Sequence, residues 1–266
     1  MSYLGFILPI INSYKGMKNV SVLEIGIDQG HSCFPIIHNL TWMCEDFKYS
    51  GIDVKLNMGV INAVDQMCNV ASQRRKDNPN VNLYQANSLT ILPLMVKENN
   101  KFDIIFLDGD HNYFTVCNEL RHIENLCNPW TIIVCDDYHG RYAEKDLFYS
   151  ERDEYSSLRV NENNIAEKLD NGNYAIDPNK ATPRIQIHED GKLKEGVKIA
   201  VNEFIVRNPG WKIRAWAKTE EMSESSSGDR YEPIVLYLGD HISVTNDSEN
   251  MIQFVSKVSR ERFIND

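Results

Sequence analysis

Between residues 20 and 136, five short apolar runs alternate with longer stretches of helical periodicity, a rhythm that few folds accept. The runs are VSVLEIG (20–26), YSGIDV (49–54), VNLYQA (81–86), FDIIFLD (102–108) and TIIVCD (131–136). Strands buried on both faces lose the alternation of a half-exposed sheet and read as near-continuous apolar segments. The spacers predict helices over about 32–45, 58–76, 89–99 and 113–126. Arg74, Arg75 and Lys76 close the second of these, where positive charge suits a helix C-terminus. Such a strand–helix repeat implies a mostly parallel sheet with helices on both faces.

The regularity stops after residue 140. Residues 141–194 are charged and Asn-rich, with turn signals at Asn171-Gly172, Asp177-Pro178 and Asp190-Gly191. They read as an insertion holding a hairpin, RIQI (184–187) forming one arm. VKIAVNEFIVRN (197–208) restores a helical face, and WKIRAWA (211–217) and PIVLYL (233–238) read as two more strands. TEEMSESSSGDRYE between them is a polar loop or hairpin, and a closing helix is expected over roughly 248–262. Residues 1–19 form a lead-in helix, since the apolar stretch 6–11 lacks a basic flank and a cleavage site. The expected fold is therefore α/β, a Rossmann-like doubly wound seven-stranded sheet, mostly parallel with its last strand antiparallel. The 266 residues make one domain with an N-terminal helix and the 141–194 insertion.

Composition narrows the partners. With 38 acidic against 28 basic residues the net charge is −10, the wrong sign for a protein that binds by neutralising nucleic-acid phosphates. No apolar run approaches the roughly 18–20 residues of a membrane span. Six cysteines show neither C-x-x-C nor zinc-ligand spacing, so they read as reduced core thiols, and a cytoplasmic location is expected.

The chemistry gathers at the ends of the strands. The first turn reads Glu24-Ile-Gly26-Ile-Asp28-Gln-Gly30-His-Ser32, and its glycines permit a tight turn and close approach of a ligand. The third glycine of a dinucleotide fingerprint is absent. Asp53 ends the next strand, where a carboxylate can accept from ribose hydroxyls or cap the following helix. Asp108-Gly-Asp110-His111 ends the fourth strand, and Asp136-Asp137-Tyr138-His139 the fifth. Ligands of open parallel sheets bind beyond the carboxyl ends of the strands, so these carboxylates and imidazoles converge on one edge. Crowded carboxylates are costly without a cation, and Asp108, Asp136 and Asp137 offer three hard oxygen ligands suited to Mg²⁺ or Ca²⁺. Capping of the following helices is the competing role, above all for Asp110.

In LEIGIDQGHS (23–32), GIDV (51–54), QANS (85–88), FLDGDHNY (106–113) and VCDDYHG (134–140), the chain resembles the class I S-adenosylmethionine-dependent methyltransferases. Within them it is similar to the metal-dependent O-methyltransferases of the catechol and macrolide-sugar types. GVKIAVNEFIVRNPGWKI (196–213) resembles the late helix and strand of the sugar-methylating branch. The resemblance implies that Glu24, Gly26 and Gly30 shape the methionine side of the S-adenosyl-L-methionine pocket. Ser32 would bond the methionine carboxylate, Asp53 the ribose, and Asn87 and Ser88 would face the adenine. Asp108, Asp136 and Asp137 would hold a divalent metal, Mg²⁺ by expectation, with Asp108 also touching the cofactor side. The catechol type has a lysine three residues after its first metal aspartate. Here that position is His111, the expected general base, with Asp110 as competitor.

The implied acceptor is a small hydroxylated molecule such as a sugar, glycoside or diol, under the 141–194 insertion. Tyr138, His139 and Tyr142 either line its pocket or serve as surface residues. Two other readings stand beside this one, an NAD(P)-linked oxidoreductase and a catalytically silent binding subunit of the same fold. The N-terminal helix and the insertion are the candidate contacts for a homo-oligomer.

Overall fold

A computed structural model describes residues 4–74, 79–139, 141–147, 166–168, 174–176, 186–187, 191–215, 234–239, 242–246 and 252–256. Its elements follow the strand–helix rhythm. Helix α1 (Leu4–Asn12) leads into β1 (Val20–Ile25), α2 (Cys33–Met43), β2 (Phe47–Asp53), α3 (Met58–Arg74) and β3 (Asn80–Gln85). Next come α4 (Ser88–Lys97), β4 (Phe102–Leu107), α5 (Tyr113–Ile123) with a 3₁₀ turn (Glu124–Leu126), and β5 (Cys127–Cys135). Short strands β6 (Ala166–Lys168), β7 (Tyr174–Ile176), β8 (Gln186–Ile187) and β9 (Leu193–Lys194) precede α6 (Val197–Arg207). Strands β10 (Trp211–Ala215), β11 (Ile234–Leu238), β12 (Ile242–Asn246) and β13 (Ile252–Ser256) complete the described chain.

Seven strands form one sheet, as expected, and their order is β3-β2-β1-β4-β5-β11-β10. The first five are parallel to one another, and β11 runs antiparallel to both β5 and β10. Strand order reverses between β1 and β4. Alternate residues of each strand enter opposite cores. Val22, Ile104, Val134 and Val235 pack with Ile7, Ile10 and Ile11 of α1, with α2 (Ile36, Ile37, Leu40) and with Val60 and Val64 of α3. Leu23, Ile105, Ile133 and Leu236 pack with Leu92 of α4, with α5 (Val116, Leu120) and with Val201 and Phe204 of α6. Helices thus cover both faces, and all six cysteines are reduced thiols. The lead-in helix spends its apolar face on the domain's own core, since Ile7, Ile10 and Ile11 are fully buried.

Register sets the working edge. Ile25 pairs with Ile52 and Leu107, and Leu107 pairs with Cys135, so four strands end level. The ladder runs one residue further through Gly26 N–H to Ile52 O, Asp108 N–H to Ile25 O and Asp136 N–H to Leu107 O, at 2.9, 2.8 and 3.0 Å. Asp53, Gly26, Asp108 and Asp136 therefore stand in a row across the sheet.

Some expectations need correction. The closing helix over 248–262 is replaced, where described, by strand β13, which pairs antiparallel with β12 as Ile242↔Ser256 through Asn246↔Ile252. Ile242, Val244, Thr245, Ile252 and Val255 are β-branched, which favours a pleated ribbon over a helix. Strand β5 begins at Cys127 rather than Thr131, with an irregular register against β4. In the insertion, Gln186 and Ile187 of the expected arm pair with Lys194 and Leu193, and a second hairpin, β6–β7, was not anticipated. Residues 75–78, including Arg75 and Lys76, and the polar loop 218–232 lie outside the described residues.

Candidate active site

The turn after β1 is shaped by the strand beside it. Gly26 has φ +89°, and a Cβ there would lie 1.9 Å from Asp108 O, so only glycine lets β1 and β4 end this close together. Gly30 has φ +80° with the Phe34 ring filling its side-chain space. Asp53 holds this turn from β2. Its Oδ2 accepts from Ile27 N–H and Asp28 N–H at 2.7 and 2.9 Å, and its Oδ1 from Lys55 N–H at 2.8 Å. A carboxylate offers about four lone-pair directions, so one remains for a ligand.

Behind the turn lies a buried polar knot. Ser32 and Tyr49 hydroxyls both donate to the Glu24 carboxyl, one to each oxygen. Burial raises the Glu24 carboxyl to about 7, against the lowering effect of these two donors. The Ser32 hydroxyl proton is thus committed to Glu24, leaving its oxygen lone pairs and the α2 N-terminus for other contacts. Asn87 caps α4 by accepting from Leu89 N–H at 2.9 Å, and Ser88 donates to the buried Glu119 at 2.6 Å. These bonds tie both residues to the head of α4. Glu119 on α5 was missed in the sequence because it reads as one more polar residue of an amphipathic helix; burial raises its carboxyl to about 8.

The acidic cluster forms where β4 and β5 end. Asp136 and Asp137 are buried, and Asp137 adopts φ +54°, a conformation uncommon outside glycine, asparagine and aspartate. This turn brings Asp137 Oδ2 to 2.8 Å from His111 Nδ1, while His111 Nε2 lies 3.6 Å from Asp108 Oδ1. Burial, then the charge of Asp136, raises the Asp108 carboxyl well above the ordinary range. A quarter of the Asp108 side chain still meets solvent. Burial and Asp137 likewise raise Asp136, opposed by its hydrogen bond with Asp108 and by His111. Asp110 receives the Thr115 hydroxyl at 3.4 Å, but the cap of α5 is Asn112, which accepts from Thr115 N–H at 2.7 Å. Tyr142 lies beside His111 with ring centroids 5.5 Å apart, and Tyr138 donates to Asn202 at 2.7 Å.

The donor chemistry of Asp108, Asp136 and Asp137 suits a hard divalent cation, and the raised carboxyls of Asp108 and Asp136 mark the crowding such a charge relieves. Among the described residues, no three His, Cys, Asp or Glu side chains already stand as a metal-holding group. Asp137 is engaged with His111 instead.

The glycine turn and acidic edge fall within residues 23–138, which match the family model described as a methyltransferase domain. That stretch of the chain is similar to a methyltransferase domain. No curated protein matches the chain. Among solved structures it is similar to CalS11, a TDP-rhamnose 3'-O-methyltransferase of calicheamicin biosynthesis. The identity is 11% over 44% of this chain and 55% of that one, with a TM-score of 0.39. MycE, a methyltransferase of the mycinamycin pathway in complex with Mg and SAH, is 18% identical over 48% of this chain and 30% of its own, at TM-score 0.35. MnmC2 of Aquifex aeolicus is 10% identical over 90% of this chain and 60% of its own, at 0.47. The match spans about half of CalS11 and under a third of MycE, and TM-scores below 0.5 add nothing to the fold already described. Among the described residues, no helix is long and apolar enough to cross a membrane.

Proposed function

We propose that this methyltransferase moves the methyl group of S-adenosyl-L-methionine to a hydroxyl oxygen of a small molecule, with a sugar, glycoside or diol as the acceptor class. The observation that carries this reading is the meeting of His111 with Asp108, Asp136 and Asp137 one strand away from the glycine turn. The acceptor class follows the resemblance in FLDGDHNY and VCDDYHG. A sulfonium methyl is already electrophilic, so the protein's task is to place the oxygen in line with it and take its proton.

His111 is built for the second part. Its Nδ1–H donates to Asp137, which places the lone pair of the neutral ring on Nε2, on the Asp108 side. Asp137 fixes the ring's orientation, as a carboxylate does for a base histidine. Asp110, which receives the Thr115 hydroxyl beside α5, is the weaker candidate. Asp108, Asp136 and Asp137 would hold Mg²⁺, which when bound lowers the pKa of an acceptor hydroxyl and orients it. Gly26, Gly30 and Asp53 shape the cofactor turn, with Glu24 and Ser32 behind it and Asn87 and Ser88 toward the adenine.

Calorimetric titration with S-adenosylhomocysteine, with and without Mg²⁺ and with NAD⁺ as control, tests the cofactor. Binding of the homocysteine product and not of NAD⁺ is expected. Methyl transfer to a panel of sugars, glycosides and diols tests the acceptor. Asp136→Ala should abolish turnover while cofactor affinity stays within about threefold, the pattern of a group needed only in the transition state. Full turnover in that variant overturns the role of the acidic cluster.

A further inference from the structure

One carboxylate oxygen fastens two helix ends. Asp146 Oδ1 accepts from Tyr113 N–H, the first residue of α5, at 2.8 Å, and from Gly196 N–H, just before α6, at 2.7 Å. The next donors of α6 turn to the same stretch of chain, Val197 N–H to Tyr142 O and Lys198 N–H to Ala143 O, each at 3.1 Å. Gly196 has φ +83°, and a Cβ there would lie 2.3 Å from Ala143 O, so residues 142–147 press directly on the start of α6. The first N–H groups of a helix have no partner within it. A segment that satisfies two such ends is therefore located by both.

That segment covers the imidazole. Leu147 and His111 exchange both backbone hydrogen bonds, His111 N–H to Leu147 O at 3.1 Å and Leu147 N–H to His111 O at 2.9 Å. The Asn112 amide adds a bond to Leu147 O at 3.4 Å, and the Tyr142 ring lies against the His111 ring. His111 is left 7% exposed. The bonds of this strap run to His111, Asn112 and the starts of α5 and α6, on the His111 side of the site.

We propose that Asp146 is a positioning residue: by joining the N-termini of α5 and α6 it holds residues 142–147 across His111 and fixes the imidazole for proton removal from the acceptor. The proposal rests on His111 being the base. Displacing a reacting group by about 1 Å costs on the order of 100-fold in rate. Asp146→Ala should therefore lower kcat about 100-fold, with the KM for S-adenosylmethionine changed less than about twofold. Backbone amide exchange at His111 and Leu147 should quicken, as should tryptic cleavage after Arg141 and Lys145. Asp146→Asn should restore kcat, because an amide oxygen accepts the same two bonds. Leu147→Pro removes the N–H given to His111 while leaving Asp146 on both helices, and it should reproduce the loss of kcat.

Unchanged kcat in Asp146→Ala overturns the proposal. So does a loss of S-adenosylhomocysteine affinity in step with kcat, which marks a merely structural cap. Failure of Asp146→Asn to recover activity also overturns it. Amide exchange is read without any substrate, so unchanged exchange in Asp146→Ala refutes the fastening itself. A wild-type chain that binds no S-adenosylhomocysteine refutes the underlying methyl-transfer reading, and the positioning role falls with it.

Discussion

Asp53 and Asp103 show how differently two aspartates in apolar runs can be employed. Asp53 sits at the C-terminal edge of the sheet and spends three acceptor directions on the backbone of the glycine turn and its own loop. Asp53→Ala releases Ile27 and Asp28 N–H, so S-adenosylhomocysteine affinity should fall about 10- to 100-fold, the scale of one to two charge-assisted hydrogen bonds. Calorimetry checks this, and affinity unchanged from wild type would show that the turn holds itself. Asp103 lies at the other end of β4, fully buried. Ser21 donates to it through both N–H and hydroxyl, at 2.8 and 2.9 Å, and Asn128 and Trp130 add two more donors. Asp103→Ala strands those donors and should cost about 3 kcal/mol or more in urea unfolding, without altering cofactor affinity in the folded protein. The sequence hides this residue, since FDIIFLD reads as one apolar strand and nothing local says where its partners are.

Helices α4 and α5 are joined by the buried Ser88–Glu119 bond, and this pair makes stability depend on pH. Burial raises Glu119 to about 8 and Glu24 to about 7, whereas an unfolded chain holds each near 4.5. Between about 4.5 and those values the native state binds protons that the unfolded state has lost. The contribution is therefore complete below about 4.5 and is lost as pH rises through 7 to 8. Glu119→Gln keeps an acceptor for Ser88 and removes one titration. The fall in Tm from pH 5.5 to 8 should shrink in this variant, and an unaltered fall would mean that Glu119 is ionised throughout. Elements with long, continuous apolar runs were legible: β1 and β4 differ from expectation only at their last residue, and β5 mainly in its earlier start. Hairpins β6–β7 and β12–β13 were not, because strands of three to five residues carry too few positions to show a period. At the site, the converging aspartates followed from strand ends alone. The pairing of Asp137 with His111 did not, because it depends on a backbone turn at φ +54° that any Asp-Asp sequence could decline.

Among the described residues, the sheet keeps its buried polar anchor and its acidic edge at opposite ends. Asp103 with Ser21 and Trp130 secures one end of the strands, and the row of Asp53, Gly26, Asp108 and Asp136 occupies the other. The same topology places the partner of β5 far along the chain. Strand β5 ends at Cys135, and the strand that pairs with its outer edge begins at Ile234. A chain stopped after residue 215 keeps β1 to β5 and leaves that edge open beside Ile132 and Val134. It should collect in the insoluble fraction where the full chain does not. During synthesis every chain passes through that stage. At roughly 5–20 residues per second, the ribosome needs about 5–20 s to make the intervening hundred or so residues. For those seconds the nascent sheet presents an unpaired parallel edge to the cell, and escape from neighbours on the same message depends on how quickly residues 234–238 arrive.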